Sequence, residues 1–545
     1  MTSISSTGSG LLDRIAASRT ATTYRAPFST TQARQDHTTM NAARTRVTLD
    51  AGADDGLVYG LPKTPGLGAQ RVWAKAGDDG LSELMARNSG KDAHTLSDRW
   101  RGLGGMLLKQ LADTGAGYKQ TLADYVPPPG EAGAVDATAS TDPVAAAAAL
   151  KDEAVGGVAT NAATVNLKIQ TRSGQTVELK IDVNNGDNGG TRGLQVEVSS
   201  SGTLSGTERQ ALAELADGLD EALEGLGEGL PTLDLSKLAA FDKSGVLSQL
   251  DLKIENPNAP ANVPGVMKSF SMHLGADKKS LALQTTSGEM SMEVDAATPL
   301  GASNGAQRRS AIDQLLKQID DATERSHADA GMTKAFKDAF KALQAPPSDT
   351  KDNAADAAGD AKKKAIASLV VQPLKTPAQD GDPTDPATSA VASMSEGLRS
   401  QAQAMQSGLA DFQASFSADS QRTSRIGSVK EQGHAEYKIG QTTTTRPNSA
   451  TGGLSIQQSQ TEDLTASFQR SRSFTLDRDS GNYDATTVQD SKTVTTLIDT
   501  VKDSIARAMR KTDEHKLKTF TSLEKNRVTE HQEWPQQQSF MERLR

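Results

Sequence analysis

The sequence predicts an α+β, multi-domain protein of short antiparallel meanders, each covered by amphipathic helices, with a disordered leader and disordered linkers. Three observations carry that expectation. Apolar and polar residues alternate in consecutive short runs, as in VNLKIQTRSGQTVELKI at 165–181. Each group of such runs is followed by a stretch whose apolar residues recur three and four apart. Between the groups lie intervals rich in Ala, Ser, Thr, Pro and charge that show no period.

Residues 1–68 are of this last kind and read as a disordered leader. From 69 to 125 the pattern turns helical, with Leu81, Leu84 and Met85 on one stripe and Leu103, Met106, Leu107 and Leu111 on another. Trp73 and Trp100 are the expected anchors of this small helical unit. It stops at VPPPG, 126–130, where consecutive prolines remove backbone donors, and an Ala-rich, acidic linker extends to 160.

A central α+β domain is expected over 161–344. Val165, Leu167 and Ile169, then Val177, Leu179 and Ile181, then Leu194, Val196 and Val198 give three strands one apolar face, with Lys168, Glu178 and Lys180 on the solvent side. The segment after them supplies a cover: Ser205 and Glu208 fit a capping box, and Leu212, Leu215, Leu219 and Leu223 follow at helical spacing. The order then recurs. Phe270, Met272 and Leu274, Leu281 and Leu283, and Met290, Met292 and Val294 mark three more strands, and Ile312, Leu315, Leu316 and Ile319 a second helix, which suggests a duplicated three-strand-plus-helix unit. Met332, Phe336, Phe340 and Leu343 add another helix.

Residues 345–390 read as a second linker, with the short apolar piece IASLVVQPL inside it. The C-terminal α+β unit, 391–545, begins with a helix marked by Leu398, Met405, Leu409, Phe412 and Phe416, continues with Thr-, Ser- and Gln-rich strands, and ends in a long helix from about 491 to 530. The stripe Val494, Ile498, Val501, Ile505 and Met509 on that helix is the expected contact for a protein partner; the alternative is that the helix lies across its own sheet.

Composition narrows the chemistry. Of 545 residues, 36% are hydrophobic and 4% aromatic, so the core is small for the length. A net charge of −9 with interspersed signs gives no general attraction to nucleic acid or to an anionic membrane. With no cysteine there is no disulfide, thiolate ligand or thiol nucleophile. The first residues lack the apolar stretch of a secretory signal, and the longest apolar run, VAAAAAL at 144–150, is too short to span a bilayer.

No catalytic, cofactor or metal site stands out. Ser89-Gly90-Lys91 lacks the rest of a phosphate-binding loop, and the glycines of GLGEGL at 225–230 follow a helix, where they read as a C-cap. The seven histidines are dispersed; His273 falls on the solvent side of its strand and His515 on a charged face. Asp182, Asn184 and Asp187 offer calcium-type oxygens without the spacing of a calcium loop, and read as a hairpin turn. The basic stretches at 361–366 and 507–518 read as solvated helix faces.

A cysteine-free, aromatic-poor, Ala/Ser/Thr/Gly/Gln-rich chain with a Ser/Thr-rich leader and a terminal amphipathic helix resembles bacterial proteins exported by flagellar or type III routes. That resemblance implies a non-enzymatic protein, secreted or surface-associated without a general secretory signal, acting through protein–protein contacts. Two alternatives stand beside it: a cytoplasmic scaffold or binding protein, and a hydrolase using carboxylates such as Asp234 and Asp242.

Overall fold

One-sided strands must be stacked edge to edge and roofed, and this chain does so in one antiparallel sheet. The computed structural model describes residues 70–90, 92–125, 151–186, 191–226, 233–295, 305–344, 394–448 and 453–544, all within one compact unit, Gly66–Arg545. The leader 1–68, VPPPG, VAAAAAL, Asp187, the linker 345–390 with IASLVVQPL, and the basic stretch 361–366 lie outside the described residues.

The first elements are β1 (Gln70–Trp73), α1 (Gly80–Asn88), α2 (Leu96–Trp100), α3 (Leu103–Thr114) and β2 (Tyr118–Tyr125). The helical stripes are where the sequence places them: Leu81, Met85, Leu103, Leu107 and Leu111 are buried, whereas Met106 points outward. Trp100 is fully buried and donates from Nε1 to the Leu223 carbonyl at 2.8 Å. The two flanking strands are an addition to the helical unit expected there.

Next come β3 (Ala163–Thr171), β4 (Thr176–Asn184), β5 (Gly193–Ser200) and the long helix α4 (Gly206–Leu226). The β3–β4 turn is closed by Gly174, whose φ of +91° a side chain would strain. All nine apolar residues predicted for these strands are buried, and so are Leu212, Leu215, Leu219 and Leu223 of the helix above them. The predicted capping box is present: the Ser205 N–H donates to Glu208 Oε2 at 2.7 Å, and the Glu208 N–H donates to Ser205 Oγ at 3.3 Å. Helices α3 and α4 approach closely because Gly105 has no side chain; a Cβ there would collide with Asp220, which accepts the Gly105 N–H at 2.8 Å.

A short helix α5 (Ser236–Ala239) leads to β6 (Leu247–Glu255), β7 (Met267–Leu274), β8 (Lys278–Thr285) and β9 (Gly288–Asp295), then to α6 (Gly305–Ser326) and α7 (Ala330–Gln344). The element order of three strands and a helix thus recurs, with β6 inserted before the second set. Last come α8 (Glu396–Ala404), β10 (Phe412–Thr423), β11 (Val429–Asn448), β12 (Gly453–Ser471), β13 (Tyr483–Val501), β14 (Ser504–Glu524) and β15 (Arg527–Arg543).

The strands form one fifteen-stranded sheet in the order β1-β2-β5-β4-β3-β6-β7-β8-β9-β10-β11-β12-β13-β14-β15, antiparallel throughout. The chain meanders outward from β3 to β5, returns over the sheet in α4, enters again beside β3 as β6, and from there each strand pairs with its predecessor. The mixed α and β content agrees with the sequence reading, but strand outweighs helix. The strands from β11 onward are also long rather than short, 17 to 21 residues each, about 65 Å for twenty residues.

Two helix expectations fail. The helix predicted through Phe412 and Phe416 ends at Ala404; both phenylalanines sit on β10, facing the core, because DFQASFSA alternates strictly. The long helix at 491–530 does not exist. Val494, Ile498 and Val501 belong to β13, and Ile505 and Met509 to β14, with a two-residue turn between Val501 and Ser504 cutting the stripe. The basic stretch 507–518 is therefore strand, its residues alternating between faces.

One face of the sheet is apolar from β5 to β12 and carries α3, α4, α6 and α7; it forms a single continuous core. Phe336 of α7 meets Phe416 edge-on at 5.2 Å and Tyr437 at 6.3 Å, and Phe340 meets Phe412 at 5.1 Å. A second, smaller core lies under α8, where Met394, Leu398 and Ala402 cover Leu454, Ile456, Ile498 and Ala508.

Candidate functional site

The face opposite the helices is polar, and its side chains run in straight rows across the strands. One row reads Lys119, Glu197, Lys180, Asn166, Lys253, Ser271, Ala282, Ser291, Ser415, Lys438 and Asp463 from β2 to β12. Its middle is made of small residues, and the sheet there is hollowed into two adjoining open troughs of about 630 and 580 Å³. Ser291 and Ser415 hydroxyls meet at 3.0 Å on the floor. On the walls Lys253 pairs with Glu255 at 2.7 Å, and Glu289, Glu293, Glu436 and Asp463 outnumber the remaining cation, Lys438, so the troughs offer nothing to select a polyanion.

Within this face Ser417, His434 and Asp419 come together. Ser417 Oγ lies 3.2 Å from His434 Nε2, and His434 Nδ1 lies 2.8 Å from Asp419 Oδ1. The connectivity is that of a serine nucleophile, its base and an orienting acid. Three features oppose that chemistry. The His434 and Asp419 side chains are 45% and 68% exposed, so water screens them. Ser417 is opposed in the ladder by Glu289 on one side and Glu436 on the other, which would repel a developing oxyanion. And the neighbouring backbone N–H groups belong to the β9–β10–β11 ladders, leaving no preorganised oxyanion donors. Alternation along HAEYKI and FQASFSADS could have placed these three residues on one face, but the β10–β11 register that joins them was not legible.

On the helix side, the apolar rows become charged where they reach β12–β14. Arg325 of α6 donates to Asp490 at 2.7 Å, and Glu462 lies nearby with Lys492 and Lys516. Burial raises the Glu462 carboxyl above its ordinary range, outweighing those cations. Burial, and then the charge of Glu462, push the Tyr437 hydroxyl up as well. Beside this network His327, at φ +56°, stacks on Phe468 at 4.0 Å and contacts the buried Glu431 at 2.7 Å; Arg470 reaches the same carboxylate at 3.1 Å. These groups bind α6 to the strands and line no cavity among those described.

The individual candidates from the sequence resolve as follows. Asp234 accepts the Ser236 hydroxyl at 2.7 Å and so caps a turn, and Asp242 lies in the one-turn 3-10 helix Phe241–Ser244. Asp182 is buried, accepting from Thr164 at 2.8 Å and pairing with Lys180 at 2.9 Å, while Asn184 donates to the Thr160 carbonyl at 2.6 Å; both are turn and ladder groups. His273 is on the solvent side as expected, but pairs with Asp251 at 2.6 Å. His515 is exposed on β14.

The most unusual surface is the end of the sheet. Among the described residues the strand β15 has a neighbour, β14, on one side only, and every residue of it is exposed there. It displays Val528, Trp534, Phe540 and Met541 at 61, 44, 54 and 60% exposure, among the few large apolar side chains exposed anywhere in the described residues. A long edge with free N–H and C=O groups and apolar side chains is a template for another strand. The partner stripe predicted on a helix is divided between two strands: Ile498 is buried and Ile505 partly buried under α8, Val494 and Val501 lie on β13, with β14 between them and this edge, and Met509 lies on β14 opposite Arg543. Among the described residues no helix is long and apolar enough to cross a membrane. No family model, curated protein or solved structure matches this chain.

Proposed function

We propose that the protein is a non-enzymatic binding protein that works through protein–protein contacts and is exported from a bacterial cell without a general secretory signal. The observation that carries the binding part is the β15 edge, 17 residues long, unpaired on its outer side among the described residues, and bearing Trp534, Phe540 and Met541. A long uncovered edge is a template for another strand, and Pro535 removes only one donor from its middle. The compositional resemblance and the Ser/Thr-rich first 68 residues support the export part.

The test replaces Trp534 in the full-length chain by a photo-crosslinking amino acid, with the same substitution at Lys317 on α6 as the control. Polypeptide adducts at position 534 and not at 317 are expected in the native bacterium; an adduct-free position 534 overturns the reading. The same cultures show whether the chain leaves the cell and whether deleting residues 1–60 stops it. Retention in the cytoplasm replaces export with the scaffold alternative. A hydrolase built on Ser417 becomes the better reading only if turnover of simple esters is measurable and is lost in Ser417→Ala.

A further inference from the structure

We propose that the occupant of the β15 edge is β15 of a second copy, paired antiparallel in the frame that sets Gln537 opposite itself and Trp534 opposite Phe540 of the other chain. This rests on the reading of β15 as a strand-pairing edge and names its partner. The argument starts from Pro535. The β14–β15 register is unbroken from Glu530 to Arg543 with Pro535 opposite Leu517 in its middle, so the nitrogen that lacks a proton faces the open side. The free donors and acceptors of the edge are therefore those of the odd-numbered residues, and a pairing strand must bond to them.

A symmetric pair of antiparallel strands can meet only in frames that oppose odd to odd and even to even. Centred on Gln537, the bonded pairs are His531 with Arg543, Glu533 with Met541, Pro535 with Ser539 through the single bond from the Ser539 N–H to the Pro535 carbonyl, and Gln537 with Gln537. The even residues then face one another in the non-bonded positions, where side chains come closest. Trp534 meets Phe540 there twice by symmetry, and Gln536 meets Gln538, all on the side of the sheet that carries the helices. Glu533 lies diagonal to Arg543 of the second copy, within reach of long side chains. Glu542 is already held by Arg510 at 3.4 Å.

Neighbouring frames are worse for stated reasons. Centred on Gln536, Glu530 stands directly opposite Glu542 twice. Centred on Pro535, Arg527 stands opposite Arg543 twice. Centred on Gln538, Trp534 is set against Glu542 and the overlap shortens. The Gln537 frame is the longest of these four that opposes no two formal charges of like sign and pairs the aromatic residues.

The chain has no cysteine, so one introduced thiol reports on pairing without background. Opposed residues in a bonded pair lie about 5.5 Å apart between Cα atoms, within disulfide range. The full-length Gln537→Cys protein is expected to form a covalent dimer on mild oxidation. Ser539→Cys is not, because its opposite is Pro535 and its own copy is about four residues away along the strand, roughly 13 Å. Sedimentation is expected to show concentration-dependent dimers that Trp534→Glu abolishes with its unfolding temperature unchanged. Equal crosslinking at 537 and 539, or a monomer at every concentration, overturns the proposal. In the second case, adducts at position 534 to a different polypeptide leave the strand-pairing reading standing, and no adducts at all remove both.

Discussion

The sheet changes character along its length. From β2 to β10 each strand turns an apolar row toward α3, α4, α6 and α7, and the polar row opposite is open. From β12 to β15 the same helix-side face carries Glu462, Asp490, Lys492, Glu514 and Lys516, and β15 has no helix over it. Both regions have long antiparallel ladders interrupted by occasional bulges, so backbone pairing is common to them and the difference lies in what the side chains bury. In the first region a strand is held by its roof. In the second it is held mainly by its neighbours, through length, polar ladders such as Gln441 with Ser407 and Gln460, and the small core under α8. A sheet can therefore be extended well past its hydrophobic core, and the extension ends in a strand with one neighbour among the described residues.

The largest break in this contrast is Leu179→Asp. Leu179 is buried in the roofed region, and an unpaired carboxylate there costs several kcal/mol, on the order of a domain's whole stability, so cooperative thermal unfolding is expected to disappear. Next is Phe336→Ala, which empties the ring cluster with Phe416 and Tyr437. A loss of about 3–5 kcal/mol is expected in denaturant titration, with the slope unchanged.

Two glutamates sharpen the comparison through opposite pH dependences. The Ser173 hydroxyl, with the Ser205 amide and the Thr171 and Ser205 hydroxyls, holds Glu208 down at about 2, against burial. Its stabilisation is present above the ordinary carboxylate range and is lost as pH falls toward 2. Glu208→Gln should cost about 1–2 kcal/mol at pH 7 and flatten the acid limb of an unfolding-temperature profile. Glu462 is raised by burial, so its contribution is most favourable at low pH and declines as pH rises through the raised value. Glu462→Gln is therefore expected to leave stability at pH 7 equal or higher, and a marked loss would show that its cations outweigh its desolvation. The smallest effect belongs to the edge: Trp534→Ala should change monomer stability by no more than about 0.5 kcal/mol, although the same variant should weaken any pairing at β15.

Legibility in the sequence followed the same divide. Where one face is buried, alternation is enforced, and the runs at 165–198 and 270–294 could be read residue by residue, as could the Ser205–Glu208 cap. Over β13 and β14 only part of one face is roofed, by α8, so no continuous period is imposed. Val494, Ile498, Val501, Ile505 and Met509 then fell by chance at three- and four-residue spacings, the signature of a helix. The turn that separates them uses Lys502 at φ +51° and Asp503, with no glycine or proline to mark it. The signal that was available is the density of β-branched residues in TTVQDSKTVTTLIDTV, which favours strand over helix.

The sequence by itself determined that the runs at 165–198 and 270–294 are strands with a dry face, that a helix starts at Ser205, and that no thiol chemistry exists here, because these depend on residues near one another in the chain. Tertiary structure alone decided that fifteen strands join in one sheet, that β6 enters beside β3, that Ser417 faces His434, and that β15 is an edge. Those outcomes depend on register between segments far apart in sequence, and register is set by which apolar rows share a roof and which strand finds no further neighbour.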